Sequence, residues 1–180
     1  MKAKAHPKDR ILETAARLFY EQGYQATGIN QLIDEAGVAK ASLYQYFESK
    51  EALCAAFLQQ RHAQWFAGLR AFTEKPRKPK AKVLAAFDFL HHMNEQENYR
   101  GCAFLNVLSE ITEKEDSLLQ IIRQHKQELK DYLAALLAGQ KPSLKDHVYL
   151  LFEAALVESQ VFRQQWPVTE AKKVVAGLLA

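Results

Sequence analysis

Cysteine is scarce in this chain: there are two, Cys54 and Cys102, each in its own apolar context. No CxxC or Cys/His spacing surrounds either, which argues against a disulfide or zinc framework and fits a reducing compartment. His91 and His92 are adjacent and so point different ways, a poor chelating pair, and no metal is expected. A Gly-rich phosphate loop, GxSxG and HExxH are all missing, so neither a cofactor nor an enzymatic activity is expected. No run approaches the roughly 18 apolar residues of a membrane span. The basic start "MKAKAHPKDR" is not followed by the apolar stretch of a secretory signal. The expectation is a soluble, cytoplasmic protein with no membrane partner. Asn-Gly hairpin signals and sustained period-two alternation are also missing, which leaves little room for β structure.

What is present is helical periodicity along nearly all of the 180 residues, a length sufficient to bury a real core. The fold class is therefore all-α. In Pro7 to Gln22, residues Ile11, Leu12, Ala15, Leu18 and Phe19 form one apolar stripe. Pro7 suits the first turn and Gly23 the left-handed position after the last. In "TGINQLIDEAGV", Thr27 can cap a short helix whose Ile29, Leu32, Ile33 and Ala36 recur at i, i+3, i+4 and i+7 before Gly37. A third short helix buries Leu43 and Phe47. Ser49 caps a longer one that runs to about Phe72, where "TEKPRKPK" ends it. Five further helices follow: Ala81 to Asn94, Cys102 to Thr112, Asp116 to Ala138, Ser143 to Gln165 and Val168 to Leu179. The net charge of +3 is too small to define a partner. The clusters Lys2, Lys4, Lys8, Arg10 and Lys75, Arg77, Lys78, Lys80, Lys82 read first as a solvated tail and a solvated linker.

Two short helices joined by a glycine-containing turn, the second with a mixed polar and aromatic outer face, describe a helix-turn-helix, whose second helix enters the DNA major groove. From Ile11 to Leu58 the pieces "AARLFYEQGY", a following Thr27, "AGVAKASLYQYF" and "SKEAL" stand in order without a gap. This stretch resembles the DNA-binding domain of TetR-family transcriptional regulators. The resemblance implies a reading head over residues 1–50 and a helical ligand-binding and dimerisation part over 51–180. The head would bind double-stranded palindromic operator DNA as a homodimer, and most members repress until an effector spreads the two heads. Carried onto this sequence, the DNA-binding positions are Thr27, Lys40, Ala41, Ser42, Tyr44, Gln45, Tyr46 and Lys50.

Physical arguments bear on these positions. Tyr44 and Tyr46 are two apart on a helix and diverge by roughly 200°, so both cannot lie on one face. Lys50, in the first turn of a helix, faces the wrong end of the dipole by roughly 0.3 to 1 kcal/mol, and a phosphate nearby would reverse that sign. Thr27 combines a capping role with a hydroxyl able to meet phosphate. Where the family often has serine, Ala39 forfeits a side-chain cap at the start of helix three.

In "RGCAFLNVLSEI", Cys102, Asn106 and Glu110 recur every four residues and would align on one helix face, as a pocket wall or as a buried polar seam. Phe87, His91, Phe104, Tyr149, Phe152, Glu153 and Trp166 are the other candidates for lining a pocket for an unknown small molecule, with ordinary core as the competing role. The last two long helices, around Val148 to Phe162 and Val174 to Leu179, are the expected homodimer interface. The alternative function is a helical small-molecule-binding or protein-interaction module without operator recognition. Such a module has no physical reason to display "KASLYQYF" and Lys50.

Overall fold

The computed structural model describes residues 6–112 and 115–180. Among them are nine helices and no strand: α1 Pro7–Glu21, α2 Ile29–Ala36, α3 Lys40–Tyr46, α4 Lys50–Thr73, α5 Pro79–Gln96, α6 Ala103–Leu108, α7 Asp116–Leu136, α8 Pro142–Phe162 and α9 Trp166–Leu178. Helix number and order follow the sequence expectation, and the differences lie at the ends. Pro79 opens α5 instead of lying in the linker before it, since a first-turn proline lacks only an N–H that the helix leaves unused. Pro167 does the same in α9, so that helix starts at Trp166. Arg163 adopts a left-handed conformation and ends α8. Helix α6 is much shorter than the expected Cys102 to Thr112, stopping at Leu108.

The chain divides into two compact units. The first comprises residues up to His62 together with Ala103–Arg123, and the second Ala63–Cys102 with Gln124–Ala180. This differs from the expected division at residue 50, because α4 is one continuous helix shared by both units and a later segment joins the first.

In the first unit, α1 packs on α2, α3 and α6. Ile11, Ala15, Leu18 and Phe19 of α1 meet a core that includes Leu32, Leu43, Leu53, Phe57 and Leu58, all nearly or fully buried. The turn between α2 and α3 depends on Gly37, whose φ of 60° and ψ of 45° are left-handed. In that conformation the amides of Gly37 and Val38 donate to the carbonyls of Asp34 and Ile33 at 3.2 Å each, closing the end of α2. A side chain at this position is strained, and its Cβ would also stand 3.3 Å from Arg10 Nη1.

The second unit is built on α5, α8 and α9 packed against each other. Its interior is aromatic: the Trp65 ring meets Phe66, Phe89, His125 and Phe152 edge-on. Phe87 meets Phe152 in the same way, with centroids 5.4 Å apart. Such edge-to-face pairs add about 0.5–1.5 kcal/mol each beyond the area they bury.

Candidate nucleic-acid interface

Helix α3 is held by its inner residues and displays the rest. Leu43 is fully buried and Phe47 nearly so, whereas Lys40, Ala41, Tyr44 and Gln45 are exposed and Ser42 and Tyr46 are half-buried. Tyr44 is 44% exposed, high for a tyrosine beside a packed core. The divergence expected of the two tyrosines is present: the Tyr46 ring turns back and meets His6 edge-on, with centroids 5.5 Å apart. His6 in turn caps α1 by accepting the Lys8 amide at Nδ1, 3.4 Å. Ala39 is the N-cap of α3 and supplies no side-chain bond.

Two of the expected DNA-contact residues have partners within the chain. Thr27 is fully buried, its hydroxyl donates to the Gly23 carbonyl at 2.7 Å, and it accepts from Gln22 Nε2 at 3.1 Å. It does not cap α2 either; Gly28 is the N-cap. Its hydroxyl secures the α1–α2 loop from within instead of facing a phosphate. Lys50 is half-buried and bonded to the same loop. Its ammonium donates to the carbonyls of Thr27 and Gln25 at 3.1 and 3.4 Å and lies 4.6 Å over the Tyr24 ring. The unfavourable dipole position is therefore offset by carbonyls and a ring of the same chain. Burial holds this ammonium below its ordinary value, and it pushes the neighbouring Cys54 thiol and Tyr24 phenol up to about 12 each.

The N-terminal basic cluster divides too. Lys2 and Lys4 lie outside the described residues and Lys8 is exposed. Arg10 leaves the tail and donates through Nη1 to the carbonyls of Ala36 and Gly37, at 2.9 and 3.1 Å. A cation at the C-terminal end of α2 suits the dipole and tightens the turn before α3. Sequence reasoning missed this role, and it missed Gln25 altogether.

Gln25 is the partner of Glu110. The Gln25 amide donates to the Glu110 carboxylate at 2.7 Å, and Gln25 Nε2 donates to the Glu110 backbone carbonyl at 3.1 Å. A Cβ on Gly23, whose φ is +108°, would lie 2.7 Å from that carboxylate, so only glycine leaves room. Because α6 ends at Leu108, Cys102, Asn106 and Glu110 do not share one helix face, and Glu110 clasps the α1–α2 loop instead of walling a pocket.

The other pocket candidates scatter. Phe104, Asn106 and Glu110 belong to the first unit, and Phe104 is core. Phe152 is core of the second. Glu153 accepts both bonds of the Lys126 ammonium, at 2.9 and 2.7 Å, with each side chain less than a fifth exposed; Tyr149 and buried Cys102 lie within charge range of that lysine. Trp166 is 48% exposed and lies against Phe162, on the surface rather than in a pocket. Phe87 and His91 do line a recess of about 340 Å³ between α5 and α9.

A glycine-turned helix pair with a displayed second helix has the geometry of a helix-turn-helix, the class of motif that places its second helix in DNA. Residues 11–57 match the family model described as bacterial regulatory proteins, tetR family. Among curated relatives, the transcriptional activator FasR of Mycolicibacterium smegmatis is 36% identical over 97 residues, which takes in 52% of this chain and 43% of FasR. The chain thus spans less than half the length of that relative. An uncharacterised regulator of Lactococcus lactis is 26% identical over 73% of this chain and 68% of its own length. The crystal structure of a TetR-family regulator from Streptomyces coelicolor superposes with a TM-score of 0.90 at 26% identity, covering 99% of this chain and 90% of that one. Residues 11–57 therefore carry the DNA-binding domain of the TetR family, and the fold of the chain is that of a solved TetR-family transcriptional regulator. That family binds DNA as dimers and is not enzymatic. No helix among the described residues is long and apolar enough to cross a membrane.

Proposed function

We propose that this regulator binds palindromic operator DNA as a homodimer in the cytoplasm, represses transcription there, and is released by a small effector. The observation that carries the reading is the outer face of α3, where Lys40, Ala41, Tyr44 and Gln45 are presented together while Leu43 and Phe47 anchor the helix. Tyr44 and Gln45 are the side chains long enough to reach base edges, and Lys40 with half-buried Ser42 and Tyr46 supplies the phosphate contacts that set register.

A second surface supports the dimer. On α8, Leu150, Ala154, Val157 and Val161 are all exposed at i, i+4, i+7 and i+11, opposite the buried Val148, Phe152 and Ser159. Val174 and Leu178 of α9 are exposed as well. Pairing these helices with their symmetry mates makes a four-helix bundle that covers a contiguous apolar face. Two heads so joined read half-sites about one helical turn, roughly 34 to 36 Å, apart.

Selecting bound fragments from the source's genomic DNA, followed by footprinting, tests the reading. The expected result is a palindrome protected on both half-sites. Recovery of fragments with no shared sequence counts against it. A reporter driven from the recovered site decides the direction of control; FasR's name makes activation the competing outcome.

A further inference from the structure

The recess between α5 and α9 has an apolar floor of Leu84, Phe87, Val168 and Ala176 and a volume of about 340 Å³, at the lower end of the roughly 300–1,000 Å³ typical of small-molecule sites. Three charged residues stand at its mouth: Asp88 from α5, and Lys172 and Lys173 from α9. The lining holds two ammonium groups and one carboxylate, and Glu170, outside the lining, answers the second ammonium. Lys172 is already held across the opening, donating to Asp88 from the facing helix. Lys173 pairs with Glu170 on its own helix at 2.7 Å, but both side chains are more than half exposed, and such a pair is readily exchanged. His91 adds an imidazole at the edge, 3.6 Å from Glu95.

The recess does not compete with dimerisation. Val174 lies two residues after Lys172 and Leu178 two after Ala176, so each points roughly 200° around α9 from the residue that lines the recess. The apolar face and the recess open on opposite flanks of one helix, and covering the first leaves the second accessible.

We infer that this recess is a binding site for a small apolar carboxylate, whose hydrocarbon body lies on Leu84 and Ala176 above the buried Phe87 and Val168 and whose head group takes Lys172 and Lys173 in place of Asp88 and Glu170. Ring and aliphatic surface below, with two cations above, reward an anion that carries a compact apolar body. An amine of the same shape finds only Asp88 in the lining, already taken by Lys172, and an alcohol gains only the floor. That occupancy controls DNA binding rests on the effector-responsive reading above; the binding itself does not.

Calorimetry on the full chain with 4-phenylbutyrate, 4-phenylbutanol and 4-phenylbutylamine tests the site. The carboxylate is expected to bind saturably, one per protomer, at least tenfold tighter than the alcohol, with the amine weakest. Lys172→Gln is expected to remove that tenfold preference. Ala176→Phe, which fills the floor, is expected to abolish binding of all three; Lys172→Gln, at a partly exposed position, keeps the test decisive if the filled variant does not fold. No saturable binding of the carboxylate, equal binding of the amine, or binding unchanged in Lys172→Gln overturns the inference. The same titration repeated on the DNA complex separates the two ideas: carboxylate binding without release of DNA strikes the effector reading and leaves the site standing.

Discussion

The two units of this molecule expose large apolar side chains in different ways. The first displays Tyr44 on α3 and Leu108 at the end of α6; the second displays Leu150, Val157, Val161, Phe162, Trp166, Val174 and Leu178, all on α8 and α9. A single tyrosine among lysine and amide side chains suits a polar partner with stacked bases and phosphates. A continuous aliphatic stripe suits only another apolar surface. Under the proposed function one unit meets a foreign polyanion and the other a copy of itself, and the same rule of burial explains both.

That contrast breaks most sharply at the second surface. Leu150→Glu combined with Val161→Glu should raise the dimer dissociation constant at least about 10³-fold, some 4 kcal/mol, by placing charge inside the bundle. Sedimentation should then find monomers that keep their helical circular dichroism. Dimers of unchanged affinity would move the interface elsewhere. At the first surface, Tyr44→Ala should weaken operator binding by about 2 kcal/mol, roughly 30-fold, while dimerisation and folding stay as they were. A gel-shift titration beside an unfolding curve reads both.

The division of roles inside the first unit sharpens the comparison further. Removal of the Glu110 carboxylate in Glu110→Ala leaves the Gln25 amide without its acceptor and should cost about 1–2 kcal/mol of stability in chemical denaturation. Lys50→Ala should cost about 1 kcal/mol of stability and leave the salt dependence of DNA binding unchanged, since its ammonium is bonded to Thr27 and Gln25 carbonyls. A salt slope reduced by about one unit would instead return Lys50 to the phosphate contacts.

The smallest effect concerns pH. The thiol of Cys54 and the phenol of Tyr24 are both raised to about 12 by burial, so the folded state holds these protons more tightly than the unfolded state. Their contribution is complete below the unfolded values of about 8.5 and 10, and is lost as pH rises through the folded ones. Stability should therefore fall from about pH 8.5 upward, by at most about 1.4 kcal/mol per unit for each group. Cys54→Ala should make that fall shallower, as measured by denaturation across the alkaline range.

Much of the fold was legible because helix-period stripes, a glycine at the turn and the first-turn Pro7 each act locally, whereas Pro79 and Pro167 open helices that the sequence reading starts after them. Leu43 and Phe47 announce the inner face of α3 by their spacing alone, and the outer face follows. What was not legible depends on contacts distant in the chain. Thr27 has the sequence of a cap, yet the loop closes over it and Gly28 takes that position. Lys50 has the sequence of a phosphate ligand, yet carbonyls from residues more than twenty positions earlier answer its charge. Glu110 shares a four-residue spacing with Cys102 and Asn106, a relation that means something only while a helix continues, and α6 stops first. In the sequence Gly23 reads only as a helix end, and the structure adds that its missing side chain leaves room for that carboxylate.

The most direct test of the account is the affinity of the unmodified chain for its selected palindrome against a scrambled duplex of equal length and composition, at one fixed salt concentration. The account predicts a preference of at least about 10³-fold for the palindrome. Equal affinity for the two duplexes would contradict it.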